Sequence, residues 1–95
     1  MPEMHFQIRW PDAREERCYS PSLIIKEYVE IDHDYPLDDF MTRMREALQI
    51  ASERVRAKYG FACSSAMAQM ERLETRAAHF SDEPEARVRV LQFIE

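Results

Sequence analysis

Two cysteines are the first residues to weigh, because each stands where one element ends and another begins: Cys18 in "CYSPS" and Cys63 in "YGFACSS". A thiolate works as a nucleophile, a redox sensor or a metal ligand when a helix N-terminus, a cation or an imidazole stabilises it. Both cysteines lie close to an expected helix start, so both meet part of that requirement. A buried free cysteine is otherwise a small hydrophobe. The residues leave both readings open: packed core thiols, or a pocket in which Cys18 and Cys63 meet an arginine.

Asp32-His33-Asp34 combines carboxylates with an imidazole, all of them divalent-metal ligands. Three contiguous residues cannot wrap an ion, and no second histidine stands at helical spacing from His33, so no metal and no cofactor are expected. The arginines of the central region are more promising. On a helical wheel Arg43 and Arg54 fall about 20° apart, as do Arg45 and Arg56, on opposite rims of an apolar stripe. Such tracks could hold an anion or an acidic partner segment. The acidic stretch "EIDHDYPLDD" of the same chain competes for them. Arg43 and Arg54, with Cys18 and Cys63, are therefore the anion or pocket candidates.

A single glycine leaves no phosphate-cradling loop and no dinucleotide fingerprint. CxxC and HExxH are absent, and no Ser–His–Asp spacing is supported. A net charge of −5 gives no pull toward nucleic acid. No apolar run approaches the ~20 residues of a membrane span. The N-terminus lacks a basic and an apolar region, so no signal peptide is expected and the cytoplasm is the default location. These exclusions favour a protein that is not an enzyme.

The elements follow from periodicity. Met4, Phe6, Ile8 and Trp10 alternate with polar residues as in a half-buried strand, and "WPDA" reads as a turn. The hairpin so formed sets Phe6 opposite Cys18 and Ile8 opposite Glu16. Ser20 and Pro21 suit the N-cap and first position of a short helix. The stretch Glu30 to Asp39 reads as a connector. Leu37, Phe40, Met41, Met44, Leu48, Ala51, Val55 and Tyr59 recur at spacings of three and four, predicting a long helix that Gly60 stops. A second stripe runs Ala62, Cys63, Ala66, Met70, Leu73, Ala77 and Phe80. "RVRVLQFIE" is a closing strand with Val88, Val90 and Ile94 on one face and Leu91 and Phe93 on the other.

The expectation is a single α+β domain over residues 1–95, with the order ββαααβ. A three-stranded antiparallel sheet, ordered 2-1-3, is covered on one face by two to three helices. Its other face should be polar, yet Tyr19, Leu91 and Phe93 are placed there beside Arg89. Those four residues are the partner-binding candidates.

With "IRWPD", "CYSPS" and "ASERVRAKYGFACS" laid out, the chain resembles the small bacterial nitrogen starvation response proteins, encoded in conserved gene clusters beside a nitrilase. The resemblance spans nearly the whole length. It implies a setting of nitrogen limitation and nitrile or cyanide assimilation, with a radical SAM protein, an acetyltransferase, a flavoprotein and a relative of a purine-synthesis enzyme in the same cluster. It carries over no established catalytic residue. Where the family often has Gly after "WPD", this chain has Ala13. Two functions are expected from the whole. The first is an accessory protein that binds a partner from its own gene cluster, or itself as a homodimer. The alternative is a small enzyme or metabolite-binding protein with a Cys/Tyr/Arg pocket at the helix N-termini. A redox or metal sensor is a third possibility.

Overall fold

The N-terminal alternation becomes β1 (Met4–Arg9), and the residues after the turn become β2 (Glu15–Ser20). The computed structural model describes residues 3–60 and 64–95. Pairing follows the expected register, with Phe6 across from Cys18 and Ile8 across from Glu16. The turn is closed at both levels: the Ala13 N–H donates to the Trp10 carbonyl at 2.9 Å, and the Trp10 N–H to the Arg14 carbonyl at 2.8 Å. This geometry forces Ala13 into the left-handed region at φ 70°. A side chain there is strained, whereas glycine adopts that conformation freely. Ala13→Gly is therefore expected to stabilise the protein by about 0.5–1 kcal/mol, read as a higher urea midpoint at unchanged slope.

After β2 come α1 (Ile25–Tyr28), β3 (His33–Pro36), α2 (Leu37–Tyr59), α3 (Ser64–Ala78) and β4 (Arg87–Ile94). The fold is α+β with an antiparallel sheet, but the sheet has four strands in the order β2-β1-β4-β3. The three expected strands sit as 2-1-3, and the fourth is drawn from the supposed acidic connector. Tyr35 pairs with Val88 and is buried at 4% exposure, while Asp34 stands across from Arg89. A four-residue segment that follows Asp32, contains Asp34 and ends in proline has the make-up of an edge strand, where charge and a missing N–H oppose further pairing. Asp32 turns the chain into it at φ 61°, and its N–H donates to the Val90 carbonyl at 2.7 Å.

Ser20 does not cap a helix. It ends β2, and its hydroxyl donates to the Ser22 carbonyl at 2.7 Å while accepting the Ser22 N–H at 3.3 Å. Ser22 Oγ in turn accepts from the Ile24 N–H, and α1 begins only at Ile25 without a side-chain cap. Ser and Pro serve here as turn formers. The β-branched Ile24, Ile25 and Val29 are poor helix formers and fit a helix this short.

A bulge alters the closing strand. Phe6 pairs with Phe93, Gln7 with Gln92 and Ile8 with Val90, so Leu91 has no opposite number. Such an extra residue reverses the inside–outside alternation beyond it. Phe93 consequently packs against the core beside Phe6, and Ile94 moves to the open face opposite His5. The expectation that Leu91 and Phe93 share the far face is corrected for Phe93.

The core lies between one face of the sheet and α2. Met4, Phe6, Ile8, Cys18, Val88 and Val90 meet Phe40, Met41, Met44, Ala47, Leu48 and Ala51. The long helix ends as expected, with Gly60 left-handed at φ 82° and its N–H on the Arg56 carbonyl at 2.8 Å. Its core seam is shorter than the apolar stripe. Burial stops at Ala51, Val55 is half-buried, and Tyr59 is 53% exposed. The α2–α3 hairpin thus overhangs the sheet in a molecule measuring 40 × 23 × 18 Å. On α3, Gln69 is fully buried, and its Oε1 accepts the Tyr19 N–H of edge strand β2 at 2.9 Å.

Candidate functional site

The pocket imagined at the two helix mouths does not assemble from the described residues. Cys18 is 0% exposed, beneath the helices and opposite Phe6. Burial pushes its thiol far above the ordinary value, and the nearby Glu16 carboxylate adds to that, against a smaller opposing pull from Arg72. A thiol held protonated in this way is a poor nucleophile. Cys63, the other half of that expectation, lies outside the described residues.

The candidate arginines are separated. Arg43 is a clasp: its Nε donates to Asp39 at 3.0 Å, its Nη1 to the Tyr28 carbonyl at 2.6 Å, and its guanidinium lies 4.9 Å from the Tyr35 ring centre. It ties α1, β3 and the first turn of α2 together. The small hollow it lines, of about 280 Å³, also holds Lys26, Glu30, His33 and Tyr35. Lys26 is already paired with Glu95, and the His33 ring packs on the Tyr35 ring with centres 4.4 Å apart. Arg45 bridges to Glu74 of α3 through two hydrogen bonds of 2.7 and 3.2 Å, which hold that carboxyl below its usual range. Arg54 is exposed on α2 and lines a different groove. Among the described residues no three His, Cys, Asp or Glu side chains are grouped to hold a metal, and no helix is long and apolar enough to cross a membrane.

On the open face of the sheet, the partner candidates are engaged within the chain. Arg89 is held by Asp34 at 3.2 Å and approaches Asp32 at 3.8 Å. The Tyr19 hydroxyl donates to Glu3 at 3.2 Å, and its ring meets His5 edge-on at 5.6 Å. Leu91 is half-buried at the bulge, and Phe93 packs against the core.

Two grooves flank the outer ridge of α2. Toward α3, a cleft of about 370 Å³ is floored by Leu48, Ala66 and Met70, with Met67 at its edge 58% exposed and the Arg45–Glu74 bridge at one end. Toward α1, a second groove of about 510 Å³ is floored by Tyr28, Ile50 and Ala57 and edged by Glu46 and Arg54. Sequence reasoning overlooked both. The available signal was Ile50, an apolar residue standing off the core stripe between two opposite charges at helical spacing.

No curated protein and no solved structure matches the chain. A family model described as nitrogen starvation-induced protein NitG matches residues 5–93. That match reaches from within the first strand to within the last, and the chain belongs to the family of nitrogen starvation-induced proteins.

Proposed function

We propose that the protein acts in the cytoplasm during nitrogen starvation as a non-catalytic accessory protein, docking on an enzyme of a nitrilase-linked gene cluster. The observation that carries this reading is the α2 ridge with apolar-floored grooves on both sides. A solvated helix back would be polar at these positions. The α2–α3 cleft is the docking site for the enzyme partner. Its methionines, Met67 and Met70, suit a surface that adapts to another protein's side chains. The open sheet face is a weaker surface, because Arg89 is neutralised by Asp34 and Phe93 is drawn into the core.

The test is retention of each purified cluster product on the tagged protein. One of the enzymes is expected to be retained, and Met67→Glu, at an exposed position that leaves the core intact, should lower its affinity by roughly tenfold or more. Retention of none of the enzymes would overturn the proposal, and equal retention by Met67→Glu would move the site off this cleft.

A further inference from the structure

The open face of the sheet offers little apolar area, but its charges are sorted. Successive cross-strand partners form one row across the sheet: Glu15, Arg9, Arg89 and Asp34. The two carboxylates stand on the edge strands β2 and β3, and the two arginines lie side by side on the inner strands β1 and β4. Arg9 Nη2 donates to Glu15 at 3.4 Å, and Arg89 Nη1 donates to Asp34 at 3.2 Å. Each guanidinium so commits only one of its N–H donors at the border of the sheet. No residue of β1 or β4 is acidic, so no carboxylate of these strands separates Arg9 from Arg89.

Directly opposed side chains on neighbouring strands have Cβ atoms about 5 Å apart, and like charges at that separation are destabilising. A carboxylate from another molecule, set between the two guanidiniums, offsets that cost and engages donors that the chain leaves open. The surroundings are of the same kind. Gln7 and Gln92 form the next inner pair, and strand alternation puts Arg17 and Arg87 on this face. Both arginines are exposed and have no ion-pair partner among the described residues. Taken with Glu3 and Asp32 the face is neutral, on a chain of net charge −5, but its carboxylates stand at the rim while Arg9, Arg87 and Arg89 stand on the inner strands. We propose that this face receives an acidic segment of a partner protein, with one carboxylate seated between Arg9 and Arg89. The contact is separate from the methionine cleft, which lies on the helical side of the molecule, and does not depend on it. A nucleic acid fits less well, because its bases need open rings to stack on, and Tyr19 and His5 are turned edge-on to each other.

Fluorescence anisotropy of a labelled hexaglutamate peptide, titrated with the whole chain at low ionic strength, tests this. Binding is expected, and it should weaken as salt is added. Arg9→Gln and Arg89→Gln should each lower the affinity by about fivefold or more, because the seated carboxylate loses one of its two charge-assisted partners. Arg54→Gln removes the same charge from the helical side and should change the affinity by less than about twofold. Arg9 is exposed, so Arg9→Gln should keep the wild-type circular dichroism spectrum, and it decides the test if Arg89→Gln fails to fold. Absence of binding, equal losses in Arg9→Gln and Arg54→Gln, or tighter binding of oligothymidylate than of hexaglutamate would each overturn the proposal.

Discussion

Trp10→Ala is expected to lower the unfolding free energy by about 3–5 kcal/mol, the largest effect of any single truncation in this protein. Trp10 is 1% exposed, stacked on Phe80 with ring centres 6.0 Å apart and edge-on to Phe40 at 6.4 Å. It joins β1 to α2 and to the turn after α3, so its loss opens a cavity at the meeting point of three elements. Its Nε1–H also donates to Glu16 at 3.0 Å, which leaves that carboxylate without its partner in the variant. A domain of this size has a total stability of about 5–15 kcal/mol, so the variant should be partly unfolded at moderate temperature. Trp10→Phe keeps the ring packing and loses the hydrogen bond, and should cost about 1–2 kcal/mol. Urea unfolding followed by far-ultraviolet circular dichroism measures both, because the variants lack the only tryptophan for fluorescence. Equal, small losses in the two variants would show that Trp10 does not hold these elements together.

The second large effect is alkaline. Burial raises the folded-state value of the Cys18 thiol far above normal, so the folded chain holds this proton more tightly than the unfolded chain does. The stabilisation is fully present below the unfolded thiol value of about 8.5 and is lost as the pH rises beyond it. Each further pH unit should remove about 1.4 kcal/mol, or about 2–3 kcal/mol by roughly pH 10.5. Other groups titrate in that window, so the measurement is the difference in urea midpoint between wild type and Cys18→Ala as the pH is raised. The two curves should converge, because only the wild type loses the thiol contribution. Parallel curves would mean that the thiolate is tolerated in the fold and that Cys18 is open to chemistry.

The hairpin and α2 were readable because their signals are local and strong. Alternation in residues 4–10 fixed which side chains point inward, and the register that follows from the "WPDA" turn placed Cys18 against Phe6. Gly60 marked the end of α2, as the left-handed conformation requires. What escaped depends on tertiary context. The segment His33–Pro36 is a strand only because β4 offers Arg89 to Asp34 and the core offers a place to Tyr35. Leu91 is an ordinary strand residue until pairing with β1 skips it, after which Phe93 and Ile94 exchange faces. Ser20-Pro21 carries a genuine cap signature, but the hydroxyl finds Ser22 first. The candidate arginines were legible as charges and not as partners, since Arg43 is claimed by the Tyr28 carbonyl and Asp39 while Arg54 stays in solvent.

The buried amide of Gln69 has a consequence for the protein at high concentration. A sheet grows sideways when an outside strand finds vacant backbone groups along an edge. On β2 the Tyr19 N–H is occupied by Gln69, and the opposite edge is the short β3, ending in Pro36, which has no N–H to offer. Lateral recruitment is thereby discouraged at both borders of the sheet. What remains open to a neighbouring strand is a shortened ladder on each side, too interrupted to template a regular new strand.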